Sequence, residues 1–589
     1  MTQQVAEDAD SAQQPVQEAV EPPADELAGD SADQPPADPP KGRLRRAFTY
    51  DFGGVAMGFV LAWLSFTPSL IPRSGLFQGL VAGVAAVIGY VVGLAITWTV
   101  RQFTDRSLSR PAWRRAWLIL WIVGAIGTVV AVILGQYWQA ELRDLVGMED
   151  QALPAYGLAV VLAVVVFVLF VGIGRIVRDV YRWVMHMLGK VLPIKIAKGL
   201  AFVVVAFVLF SFLSDVVVAR TLGLVDNIFA TTNGELNPDV PQPDSSYVSG
   251  GPASNVTWES LGRTGRDFIT GAPTADQITA WSGEPALDPI RAYAGLDSSD
   301  DPRARARVAL KELIDLGGFD RQVLLVGNST GSGWIDDQAV WPLEFMYNGD
   351  TAAVGMQYSY LPSWLSFLVD KSRSQDSARA LFDAIFGYWQ DLPRKHRPKL
   401  VIFGESLGSF GGETAFSGAD DMANRTDGIV FMGPVSDNEL SSEFIRHRKK
   451  GSPAWQPLYE NGETVRYIAN ASDIQNTPAW ADPRVLYIQH PSDPVSWWSP
   501  DLLFTRPAWL DEPPGPDRTD DMHWFPLLTF FQVSADLAVA NGVPYGHGHK
   551  FGLISVDAWA AVLPPEGWTA ADTTSLQAYL EANPPDPLD

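Results

Sequence analysis

Three short stretches carry residue types that together could make a nucleophile, an acid and a base. The first is Gly404-Glu-Ser406-Leu-Gly408, directly behind the apolar run Leu400–Phe403. In G-x-S-x-G the serine occupies a strand-to-helix turn so tight that small residues are needed on both sides. The second is Gln489-His-Pro-Ser-Asp493-Pro-Val495, an acid in a turn just after the apolar run Val485–Ile488. The third is Gly546-His547-Gly-His549-Lys-Phe551, two histidines in a glycine-rich loop. A serine hydroxyl is a weak nucleophile until a base takes its proton, and the base needs a carboxylate to orient it.

The pattern alone is weak, because Gly327-Asn-Ser329-Thr330-Gly331 also matches it and also follows an apolar run. What comes next separates the two. Behind Gly408, Ser-Phe-Gly-Gly-Glu-Thr-Ala-Phe can continue as a helix whose dipole points at a developing oxyanion. Behind Gly331 stand Ser332, Gly333 and Trp334, a loop composition. Ser406 is therefore assigned as nucleophile and Gly327–Gly333 as the oxyanion loop. The Leu407 N–H is expected as first donor, with Thr330 or its neighbour Gly331 as second. Of seven histidines, His186, His396 and His447 lie among basic residues, His490 precedes the acid and His523 sits beside Trp524. That leaves His547 and His549. His549 is preferred because a helix-like segment, Gly552–Leu563, follows it; His547 stays as the alternative. No third and fourth ligands accompany the His-x-His pair, so neither a metal nor another cofactor is expected. The chain has no cysteine, which excludes disulfides, thiolate ligands and a Cys nucleophile. Trp334, Trp497 and Trp498 flank these loops and are candidates for a substrate pocket, with core packing as the competing role.

The elements that must position these residues are short apolar runs alternating with helical segments. Strands are expected near 322–326, 352–358, 400–403, 428–432 and 485–488, and helices near 303–316 and 377–390. This alternation predicts a mostly parallel sheet with helices on both faces, and ligands then sit beyond the carboxyl ends of the strands. The expected domain runs from 291 to 589, with a possible lid at 437–474, after a linker and extension at 220–290. The order Ser406, Asp493, histidine is that of α/β-hydrolases. One departure stands out: no convincing strand precedes the histidine between Asp501 and His547.

The amino-terminal third is a different material. Residues 1–40 hold ten acidic and no basic residues with many Pro, Gln and Ala, the composition of a disordered acidic tail. Five apolar runs follow within 41–219: about Gly53–Leu70, Leu76–Val100, Trp117–Leu134, Tyr156–Ile173 and Gly199–Val218. Each is long enough to cross ~30 Å of hydrocarbon, so a helical domain with five transmembrane helices is expected. The first two could instead form a tight hairpin around Pro68 and Pro72. Residues 178–198 suit a helix lying in the membrane interface. Arginine and lysine crowd before the first run, between the second and third, and between the fourth and fifth. The other loops are poor in cations, which predicts a cytoplasmic N-terminus and an extracytoplasmic carboxy-terminal domain. A net charge of −24 argues against a nucleic-acid partner.

The segments TGSGW (Thr330–Trp334), QYSYLPSW (Gln357–Trp364), RPKLVIFGESLGS (Arg397–Ser409), IQHPSDPVSWW (Ile488–Trp498) and GHGHKF (Gly546–Phe551) resemble those of a largely uncharacterised family of actinobacterial membrane proteins. That family joins an N-terminal multispan region to a C-terminal α/β-hydrolase domain. The resemblance implies a serine-hydrolase fold with Ser406, Asp493 and His549 at the triad positions, and it supplies no substrate. The functional expectation is a serine esterase or lipase acting on a lipid or lipid-linked envelope ester, with membrane lipid as partner. An acyltransferase using the same triad is the nearest alternative, and a membrane scaffold or transporter-associated protein with a degenerate hydrolase domain is the alternative from another class.

Overall fold

The computed structural model describes residues 50–104, 109–212, 232–236, 240–369, 371–475 and 480–585. The acidic tail lies outside them, as do residues 213–231, which include the end of the fifth apolar run. Five apolar helices open the chain: α1 (Phe52–Leu64), α2 (Gly75–Phe103), α3 (Arg110–Leu145), α4 (Leu153–Leu188) and α5 (Ile194–Ser211). The last four are long and apolar enough to cross a bilayer. The first run differs from expectation. Its helix has 13 residues, about 20 Å at 1.5 Å per residue, and 65–74 turn back as a buried loop holding both prolines. The hairpin is thus the arrangement adopted. The expected interfacial helix is also absent, because α4 runs unbroken to Leu188. Small residues let these helices touch backbone to backbone. A Cβ on Gly93 would lie 2.2 Å from Gly53 O, and one on Gly79 2.6 Å from Ala159 O. The first contact belongs to the α1–α2 pair, the second to α2–α4.

The carboxy-terminal domain is built on a seven-stranded, all-parallel sheet of order β1-β3-β2-β4-β5-β7-β6. The strands are β1 (Ile290–Ala294), β2 (Val323–Asn328), β3 (Thr351–Met356), β4 (Lys399–Glu405), β5 (Gly428–Met432), β6 (Val465–Ile468) and β7 (Arg484–Ile488). Both faces are covered, so strand residues on both faces are buried. Val323 and Leu325 face one core with α7 (Asp337–Met346), α11 (Ile554–Val562) and α12 (Ala570–Ala582). Leu324 and Val326 face the other with α6 (Pro302–Asp315) and α8 (Lys371–Asp391).

Two strands go unanticipated, β1 and β6, and each carries an arginine as its second residue. Arg291 is fully buried because Glu344 (2.9 Å) and Asp337 (2.5 Å) neutralise it. Arg466 stacks on Trp480, 4.6 Å from the ring centroid. The 437–474 stretch, expected as a lid, contains the edge strand β6. Part of the expected linker is core: Val248, Leu261, Phe268 and Ile278 pack under the sheet. Among the described residues no strand lies between Asp501 and His547, as the sequence suggests.

Candidate active site

Ser406 stands between β4 and α9 (Leu407–Glu413) with φ +52° and ψ −121°, a conformation L-residues rarely adopt. The turn is held by the Ser406 N–H donating to Met432 O at 2.9 Å. It tolerates no bulk beside it: a Cβ on Gly404 would lie 2.5 Å from Gly408 O, and one on Gly408 2.2 Å from Asn328 O. The rival serine is built differently. Ser329 is buried and its hydroxyl donates to Met356 O at 2.7 Å, leaving it satisfied by the fold.

Asp493 follows β7 and is wholly buried. Its Oδ2 accepts from His549 Nδ1 at 2.7 Å and from Ser496 Oγ at 3.2 Å, while Oδ1 accepts the Val495 N–H at 2.8 Å. These bonds fix the imidazole with Nδ1 protonated and Nε2 free to accept a proton. The ring lies against Gly433, whose neighbour Met432 holds the Ser406 backbone. Ser406 and the imidazole are therefore both anchored at the end of β5. No hydrogen bond yet links Ser406 Oγ to Nε2 among the described residues, as is common before substrate binds. His547 is engaged elsewhere, its Nδ1 3.2 Å from Asp517 Oδ2.

The Leu407 N–H, expected as an oxyanion donor, is the first of α9 and has no acceptor among the described residues. Thr330 departs from expectation: its N–H donates to Trp334 O at 2.8 Å and is spent within the loop. The neighbouring Gly331 N–H has no backbone acceptor among the described residues. Glu405, between Gly404 and Ser406, is buried with Oε2 unpartnered. Burial, with Asp336 and Asp493 nearby, raises it well above the usual carboxylate range. Burial likewise raises Asp336 to about 6.

The three tryptophans part company. Trp497 is core, packed on Trp509 and donating to His490 O at 3.0 Å. Trp498 donates to Ser534 Oγ at 2.8 Å, its ring between Phe367 and Phe530. Phe367 in turn packs on the Leu407, Phe410 and Val435 cluster beside Ser406. Trp334 lines a cavity of about 990 Å³ with Asp336, Gln338, Tyr360 and Tyr545. Gln338 and Tyr545 on its wall are hydrogen-bonded at 2.9 Å, and none of Ser406, Asp493 and His549 lines it. Gly433, Asp517 and Glu405 carry no motif of their own, and only the folded chain exposes their role. The described residues contain no cluster of metal-ligating side chains.

A parallel sheet with a strained serine after a central strand, and an acid–imidazole pair at the same edge, defines the α/β-hydrolase class. Residues 290–576 match the model of an alpha/beta-hydrolase family, and residues 66–273 match the model of that family's N-terminus. The chain belongs to this alpha/beta-hydrolase family, N-terminal region included. No curated protein and no solved structure matches it.

Proposed function

We propose that this chain is a membrane-anchored serine hydrolase, esterase- or lipase-like, that cleaves a lipid or lipid-linked envelope ester through an acyl-enzyme. The observation that carries the reading is the buried 2.7 Å bond between Asp493 and His549, set beside a serine in a strained turn. Ser406 Oγ attacks the ester carbonyl and His549 Nε2 takes its proton. Asp493 holds the ring and stabilises the imidazolium, and the Leu407 and Gly331 N–H groups receive the oxyanion. The imidazolium then protonates the leaving alcohol, and water, deprotonated by the same ring, releases the acid. Acyl transfer needs the same groups with an alcohol in place of water. The intact acid–base pair speaks against a degenerate scaffold.

The arrangement of the helices supports an extracytoplasmic site. The hydrolase domain sits on the α1–α2 loop and the carboxyl end of α3, where Trp138 Nε1 donates to Asp521 at 2.8 Å and Thr519 bonds Glu141. Arg101 and Arg110–Arg115 stand at the opposite ends of α2 and α3, and Arg175–Arg182 toward the far end of α4. By the positive-inside rule the cation-rich ends are cytoplasmic, so the triad faces out. The test is covalent labelling by a fluorophosphonate. Ser406→Ala abolishes it and Ser329→Ala keeps it; equal labelling of the two variants defeats the assignment. Product analysis with and without an added alcohol then separates hydrolysis from transfer.

A further inference from the structure

In the α/β-hydrolase pattern the base directly follows a strand, and here no strand lies between β7 and His549 among the described residues. Something else must hold its loop. On one side the loop is tied to the residues after β7. His490 Nδ1 donates to Gly548 O at 2.8 Å, and the Gly548 N–H donates to Ser492 Oγ at 2.8 Å. Asp517 joins this clamp by bonding both Ser492 and His547.

The other side belongs to the N-terminal helices. The His549 N–H donates to Ala540 O at 3.1 Å, just beyond the end of α10 (Leu528–Leu537). That helix is fastened to the α1–α2 loop by a fully buried ion pair. Arg73 Nε reaches Asp536 Oδ1 at 2.8 Å, and Nη2 reaches both Asp536 Oδ1 at 2.7 Å and Gln532 O at 2.8 Å. The Leu70 N–H, at 3.2 Å, and the Ser69 hydroxyl complete the shell of the Asp536 carboxylate. Gln532 Nε2 returns to Ser65 O and Thr67 O at 3.3 and 3.1 Å. Ile71, wholly buried, packs on Val543 and Val146. A Cβ on Gly548 would lie 2.7 Å from Val543 Cγ2 and 3.7 Å from Ile71 Cγ2. The loop backbone rests on Val543, and Val543 rests on Ile71.

A tether alone does not need this placement, since any surface of the domain could be bound to the helices. Here the buried contacts end one hydrogen bond from the base. We infer that the α1–α2 loop is part of the catalytic apparatus. Arg73 and Ile71 act as positioning residues for His549, doing from the membrane region what a strand does elsewhere in this fold class. This rests on the proposed triad. It predicts that the helical region does more than anchor: loosening the loop lets the imidazole swing without touching Ser406, Asp493 or the oxyanion donors.

The experiment uses the full-length protein in detergent, a soluble short-chain nitrophenyl ester, and fluorophosphonate titration to count competent sites. Ile71→Ala, Ile71→Val, Arg73→Met and Arg73→Lys are compared with His549→Gln. A residue that only stabilises the fold lowers the number of titrated sites and leaves turnover per site unchanged. A positioning residue lowers kcat per titrated site. The expected result is about a tenfold fall in kcat per site for Ile71→Ala and Arg73→Met with KM unchanged, near-normal turnover for Ile71→Val and partial recovery in Arg73→Lys. Active unsubstituted protein, an inactive His549→Gln and unaltered kcat per site in Ile71→Ala and Arg73→Met would overturn this inference and leave the triad standing. An unsubstituted protein that neither labels nor turns over would overturn both.

Discussion

Gly433 offers the sharpest test of the base. It follows β5 with φ +52°, its N–H donating to Ile488 O at 2.8 Å. A Cβ placed there would lie 2.5 Å from His549 Cε1 and 2.8 Å from Nδ1, where ordinary contact begins at 3.4 Å. Gly433→Ala must therefore displace the ring by about 1 Å, while the buried Asp493 keeps hold of Nδ1. A misplacement of that size costs about a hundredfold in rate, or ~2.7 kcal/mol of barrier. Left-handed backbone adds ~1–2 kcal/mol to the cost of folding, a separate quantity. The two are read apart by the second-order rate constant of fluorophosphonate labelling and by thermal unfolding of the same preparation. A folded Gly433→Ala protein that labels at the original rate would show that His549 is not the base.

Two further outcomes are expected. His549→Gln lowers turnover by a thousandfold or more, whereas His547→Gln, which loses only its bond to Asp517, keeps activity within about tenfold; esterase assays on both variants check this. Glu413 gives a stability signature. It accepts from Tyr487 Oη at 2.8 Å and the Leu440 N–H at 3.0 Å, and burial raises it to about 7. Because the folded value lies above the unfolded one, its contribution is complete below about pH 4.5 and is lost as pH rises through about 7, on the order of 3 kcal/mol in all. Urea midpoints should fall from pH 5 to pH 8, and Glu413→Gln should flatten that slope; an equal slope in the variant contradicts the assignment.

Five of the seven strands, the tight turn at Ser406 and the turn at Asp493 are readable because each is a local pattern: an apolar run, then a turn residue whose neighbours obey steric rules. What the sequence hid depends on distant partners. β1 and β6 read as polar because Arg291 and Arg466 are matched by Glu344, Asp337 and Trp480, none within ten residues of its arginine. His547 and His549 look alike in GHGH, and what separates them is Asp517 against Asp493. Thr330 looked like an oxyanion donor until Trp334, four residues on, took its N–H. The first apolar run read as a full span because composition does not reveal that a hydrolase helix covers its second half; Gln532 and Asp536 do so from more than 450 residues away.

That last separation also sets an order of events during synthesis. Arg73 emerges 463 residues before the Asp536 that neutralises it, and the base follows thirteen residues after Asp536. Until then the chain holds a serine and an acid but no relay between them. On the proposed reading, a nascent polypeptide threading into a bilayer is therefore chemically silent toward the lipids around it. Hydrolytic competence arrives only when the tail end of the chain closes on the hairpin made at its beginning.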